Sequence, residues 1–161
     1  MNIPTGKPVI KLLTLKNLNH NNMLLDLIKK KFNGYVCITV KDKYGYEDSF
    51  IVFEDGFIKG AYHRFLDKSK DSFGDNALKL FMSSFSSKLG TIDVYSLTKE
   101  QAELILTFNE KIKNKPTNDI KFLNQFNNFK YKEEILGNSS ENKKETKYDL
   151  FKRIGLGNVN I

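Results

Sequence analysis

The chain has 161 residues, with 26 basic against 19 acidic side chains, a formal charge of +7 and a single cysteine. That length suits one domain with a tail, able to bury about 70% of its unfolded surface. One cysteine excludes an internal disulfide and points to a reducing cytoplasm; no apolar run approaches a signal sequence or a membrane span.

The positive charge invites nucleic acid. Only Arg64 and Arg153 are arginines, however, so most of it lacks the planar fork that grips guanine or phosphate. Residues 9–15, VIKLLTL, form a short apolar lead-in or first strand. Asn19 to Asn22 supply helix-starting chemistry, and Leu24, Leu25, Leu27, Ile28 and Phe32 fall on helical spacing. The spacing predicts a helix over 22–32 stopped at Asn33-Gly34, with Lys29 to Lys31 at its solvated end.

Gly34 to Phe65 reads as three strands joined by two turns. Tyr35, Cys37 and Thr39 alternate with Val36, Ile38 and Val40, the period of a strand with one face in a core. Asp55-Gly56 between two apolar runs is a signal for a type I′ hairpin. Gly60 inside the return strand predicts a bulge or a close backbone approach to the following helix. Cys37 reads as a small core hydrophobe. LDKSKDS then reads as a loop.

A second helix carries Ala77, Leu78, Phe81, Met82 and Phe85 on one stripe. Residues 90–96 alternate as a fourth strand. Thr98 and Gln101 match a capping box opening a third helix to about Lys113, in which the run around Leu104 predicts burial. Beyond Pro116, Phe122, Phe126 and Phe129 predict a short amphipathic helix, packed on the domain or presented as a docking face. Together these elements predict an α+β fold. An antiparallel meander of four to five strands packs helices on one face over residues 1–136, with a C-terminal helical extension.

Residues 137–147, GNSSENKKETK, offer too little apolar surface to offset ordering entropy and read as a flexible linker. Residues 148–161 form an amphipathic tail. Tyr148, Phe151 and Ile154 recur on one face, with Leu150 and Leu156 beside them; the tail either folds back on its own domain or inserts as a helix into a partner's groove, and these five are the candidate partner-binding residues.

The Gly-Tyr-Val strand, the Phe53-Glu54-Asp55-Gly56 turn with Ile58-Lys59-Gly60-Ala61, and the helix opening GDNALKLF resemble the PATAN family and related uncharacterised archaeal domain families, over about Asn22 to Ser96. The resemblance implies a non-enzymatic adaptor, linked in bacteria to signalling receivers and small GTPases. The extension from Phe122 onward departs from that pattern.

Chemistry is sparse. His20 and His63 lack companions spaced as zinc ligands, and His63 beside Arg64 reads as a polar rim of the sheet. Glu54 and Asp55, adjacent along a strand and its turn, point different ways. The serines 83, 84, 86 and 87 lack a nucleophile elbow. No catalytic, cofactor or metal site is expected. A cytoplasmic protein-interaction adaptor is the leading expectation. The alternative is RNA or single-stranded DNA bound on a sheet face carrying Tyr35, Lys41, Lys43, Tyr44 and Tyr46, and it turns on whether those tyrosines are exposed. Self-association is left open.

Overall fold

A computed structural model describes Met1 and residues 3–140. The fold is α+β, as expected. Its strands are β1 (Lys7–Thr14), β2 (Gly34–Asp42), β3 (Gly45–Glu54), β4 (Phe57–Phe65), β5 (Lys70–Phe73), β6 (Leu89–Ser96) and β7 (Lys113–Thr117). Its helices are α1 (His20–Lys29), α2 (Gly74–Ser84), α3 (Lys99–Phe108), α4 (Ile120–Asn124) and α5 (Lys130–Ser140). Met1–Tyr131 is one compact unit and Lys132–Ile161 a second.

All strand pairs are antiparallel, in the order β1-β6-β2-β3-β4-β5, and β7 pairs with the part of β4 that β5 leaves uncovered. The meander sits at the centre of the sheet. Its β3–β4 turn puts Asp55 and Gly56 at φ +50° and +79°, the two positive angles of a type I′ turn. A Cβ on Gly56 would stand 2.6 Å from the Ile28 carbonyl oxygen, so the turn packs directly on the end of α1. At Gly60 the register slips, pairing Val52 with Gly60 but Phe53 with Ile58, which leaves Lys59 as the bulged residue. The close approach is real too. It is made by Leu106 of α3 and by Ile112, with a Gly60 Cβ 2.7 Å from Leu106 Cδ2, and not by the helix that follows the strand.

The seven strands among the described residues exceed the expected four to five because β5 and β7 carry no strand pattern of their own. KDSF and KNKPT are polar edge segments held by pairing to β4 and, at Asn114, by a side-chain bond donated to the Ile58 carbonyl. Helix bounds moved as well. Asn19 caps α1, its side chain accepting the Asn22 N–H at 3.0 Å, and Lys31 at φ +50° supplies the left-handed stop, ahead of Asn33-Gly34. The capping box at Thr98 and Gln101 forms, with both reciprocal bonds present at 3.2 and 3.0 Å. α3 ends at Phe108 rather than near Lys113, and Leu104 and Phe108 are 50% and 78% exposed, against the expected burial.

Helices occupy both faces of the sheet, which corrects the one-sided packing read from the sequence. On the first face α1, α2 and α4 bury Leu24, Leu27, Ala77, Phe81, Met82 and Leu123 against Val36, Ile38, Ile51, Phe53 and Val94. On the second, α3 buries Ala102, Ile105 and Leu106 against Tyr35, Phe50 and Val52. Cys37 packs half-buried at the margin of this second cluster, and burial pushes its thiol up to about 12. α5 runs through residues 137–140, which composition assigns to a linker; helix propagation from its Lys, Glu and Leu residues costs little once a turn has formed.

Candidate functional site

α4 starts where Asp119 accepts the Phe122 N–H at 3.0 Å, and this cap turns Phe122 outward, 54% exposed. Phe126 follows in the turn beyond the helix, its ring edge-on to Phe122 with centroids 5.7 Å apart. Phe122, Leu123 and Phe126 form one wall of a groove of about 450 Å³, and Leu78 of α2 with Pro116 of β7 forms the other. Two carboxylates at its rim are committed to backbone. Asp75 accepts the Lys115 N–H and Asp119 holds the α4 cap. The ammonium groups of Lys79 and Lys115 stand on the same rim, and Lys79 Nζ lies 5.2 Å from the Phe126 ring centroid. The result is an apolar cleft under a rim of mixed charge.

The nucleic-acid candidates divide. Tyr35 is 8% exposed and stacks on Tyr95 at 5.0 Å beneath α3, so it belongs to the core. Lys41, Lys43, Tyr44 and Tyr46 converge at the tip of the β2–β3 hairpin rather than across the sheet. Lys41 Nζ lies 4.8 Å from the Tyr46 centroid, and Lys43 Nζ lies 5.0 Å from Tyr44 and 5.5 Å from Phe129. Lys68, on the turn after β4, reaches Tyr44 at 6.0 Å. The open part of the sheet face is no basic platform. Asp48 accepts the Thr39 hydroxyl at 2.8 Å, Asp93 accepts the Leu12 N–H at 2.7 Å, and Asp71 pairs with Arg64.

His63 is fully buried, which overturns the polar rim expected from Arg64 beside it. The bulge at Lys59 places it opposite Ser49, whose hydroxyl lies 3.0 Å from His63 Nδ1, while Glu47 Oε2 lies 3.3 Å from Nε2. Glu47 and Ser49 share a face by their spacing of two, a visible signal, but the partner across the hairpin depends on a bulge that no pattern announces. A Ser-His-Glu chain has the members of a nucleophilic triad. Here all three are at most 3% exposed, so no substrate reaches the hydroxyl, and His63 is held between Ser49 and Glu47 inside the core.

His20 stacks on Phe85 with centroids 4.3 Å apart and lies 3.1 Å from Asn127, and burial lowers its pKa. Glu54 pairs with Lys59 and Asp55 with Lys99, so the two adjacent carboxylates do diverge. The serine run is built into the end of α2. Ser83 and Ser84 donate to the Leu80 carbonyl, and Ser87 donates to Asp42. Among the described residues no cluster of three or more His, Cys, Asp and Glu is placed to hold a metal ion, and no helix is long and apolar enough to cross a membrane. Tyr148, Leu150, Phe151, Ile154 and Leu156 lie outside the described residues, as do residues 141–147.

A family model described as an uncharacterised protein conserved in archaea (DUF2226) matches residues 1–109. No curated protein and no solved structure matches the chain.

Proposed function

The chain belongs to this archaeal family, and from that premise we propose that it is a non-enzymatic adaptor whose α2–α4 groove takes an amphipathic helix of a protein partner. The observation that carries this reading is Phe122, more than half exposed in an apolar cleft where helix-in-groove recognition would seat anchors spaced three and four apart. The rim is mixed, Lys79 and Lys115 beside Asp75 and Asp119, so a bound helix meets charges of both signs around its apolar anchors. The formal charge of +7 favours a helix that also carries acidic residues.

The resemblance to PATAN-like domains supports an adaptor in the cytoplasm, with a small GTPase or another signalling protein among its partners. The tail from Tyr148 to Leu156 is a second docking element in this reading, able to enter a partner's own groove.

Selection of amphipathic helical peptides on the full chain tests the groove. The expected ligands place apolar residues at i, i+3 or i+4 and i+7 with Asp or Glu alongside. Phe122→Glu is expected to weaken them at least tenfold, in line with the cost of losing a buried anchor, and Lys115→Glu to weaken them less. Peptides that bind the Phe122→Glu protein as tightly as the parent would remove the groove from the proposal. Phe151→Glu examines the tail separately, and a partner retained by that variant counts against it.

A further inference from the structure

The hairpin tip is a second surface that the adaptor reading does not use. Three segments distant in sequence meet there: the β2–β3 turn, the turn carrying Lys68 and the segment carrying Phe129. Each of Lys41, Lys43 and Lys68 holds its ammonium group within 6.0 Å of an aromatic centroid. The neighbouring carboxylates are occupied by donors of the protein itself. Asp42 accepts the Tyr44 N–H at 2.8 Å and the Ser87 hydroxyl at 2.8 Å, and Asp67 accepts the Tyr46 N–H at 3.0 Å. These bonds hold the hairpin in shape, and the tip sets the three ammonium groups of Lys41, Lys43 and Lys68 against the two carboxylates of Asp42 and Asp67.

We propose that this tip binds single-stranded nucleic acid, with Lys41, Lys43 and Lys68 meeting phosphates and Tyr44 and Tyr46 receiving bases. Tyr46 is 47% exposed, enough ring for a base to stack on. The Lys41 ammonium group, 4.8 Å from the Tyr46 centroid, is a rotamer change away from the phosphate of a base stacked on that ring, so binding there exchanges a cation–π contact for an ion pair. An acidic peptide would satisfy the lysines but leave the rings unused. Duplex DNA keeps its bases stacked inside, where a tyrosine on a hairpin tip does not reach them. Among the described residues the tip carries lysines and no arginine, which removes base-edge readout and predicts tolerance of sequence.

The test is fluorescence anisotropy of a labelled oligouridylate with the full chain, between about 50 and 200 mM KCl, the range over which counterion release is readily measured. Three phosphate contacts predict a slope of log K against log salt of about −2, at roughly 0.7 per contact for single strands. Lys43→Glu should reduce the slope magnitude. Tyr46→Ala should lose about tenfold in affinity and Tyr46→Phe should restore it, as stacking requires. Lys7→Glu changes the charge equally at the opposite end of the sheet, where Lys7 pairs with Ser96, and should leave affinity nearly unchanged. Equal losses from Lys7→Glu and Lys43→Glu would mean diffuse attraction and overturn the proposal. So would absence of binding by the parent at the lowest salt, or polyglutamate competing as well as RNA.

Discussion

The two faces of the sheet are treated differently by the same strands. On the first face three helices seal the alternating residues Val36, Ile38 and Val40 to 1% exposure or less. On the second, α3 covers Tyr35 and Phe50 but stops short of Thr39, Lys41 and Tyr46, which stay exposed. The strands therefore change partner halfway along their length on one side only. The first face is scaffold. The second grades from core into a polar surface and then into the hairpin tip, and the residues left with chemistry to offer lie along that gradient or in the groove beside α4. It also explains why aromatic residues from one strand pair have opposite fates, Tyr35 under α3 and Tyr46 in solvent.

The largest effect should come from setting one face against the other. Ile51→Ala deletes a fully buried side chain of the first face and should cost about 2–5 kcal/mol in urea unfolding. Thr39→Val, on the uncovered half of the second face, gives up an exposed hydrogen bond to Asp48 and should cost about 1 kcal/mol or less. A large cost at Thr39 would mean that something in solution covers the open half, and the contrast between the faces would fail.

A smaller effect sharpens the covered half. α3 is the helix over the second face, and its start rests on the Thr98–Gln101 capping box. Thr98→Ala should cost about 1 kcal/mol. Hydrogen exchange localises the loss: amides of α3 should exchange faster while those of α2 do not. Uniform acceleration across both helices would show that the two faces unfold as one unit and are not separately held.

What the sequence made legible follows from where its signals are local. The Asp55-Gly56 turn, the Thr98 capping box and the alternation of β2 are each written within a few residues, and each formed. β5 and β7 were invisible because KDSF and KNKPT owe their strand geometry to β4, a tertiary partner. The exposure of the tyrosines was likewise illegible. Period-two alternation says which residues share a face, but the length of α3 decides how much of that face is covered. His63 was misplaced for a related reason, since the bulge at Lys59 sets the residue it meets across the hairpin. At the groove, the phenylalanine spacing from 122 to 129 was readable as a stripe. The Asp119 cap and the end of α4 at Asn124 broke that stripe into one exposed and two half-buried rings.

The smallest expected effect joins the two halves of the comparison, because the turn of the central hairpin is tied to the start of α3. Asp55 Oδ2 accepts from Lys99 Nζ at 2.6 Å across the molecule's surface. That hydrogen bond is the main reason the Asp55 carboxyl sits below its ordinary range and the Lys99 ammonium above its own. A carboxyl whose pKa falls on folding lends stability above the unfolded-state value and loses it as pH drops through the folded one. A lysine whose pKa rises lends stability below its unfolded value and loses it as pH climbs through the folded one. Their joint contribution is therefore a plateau across neutral pH that closes at both ends. Both groups are exposed, so the plateau is low and salt lowers it further. Lys99→Met should shift the urea midpoint slightly at neutral pH and low salt, with the difference vanishing in acid below the carboxylate range and shrinking in concentrated salt. A difference that persists unchanged in acid would assign the effect to packing of the lysine stem on the turn, and the hairpin and α3 would then be joined by contact rather than by charge.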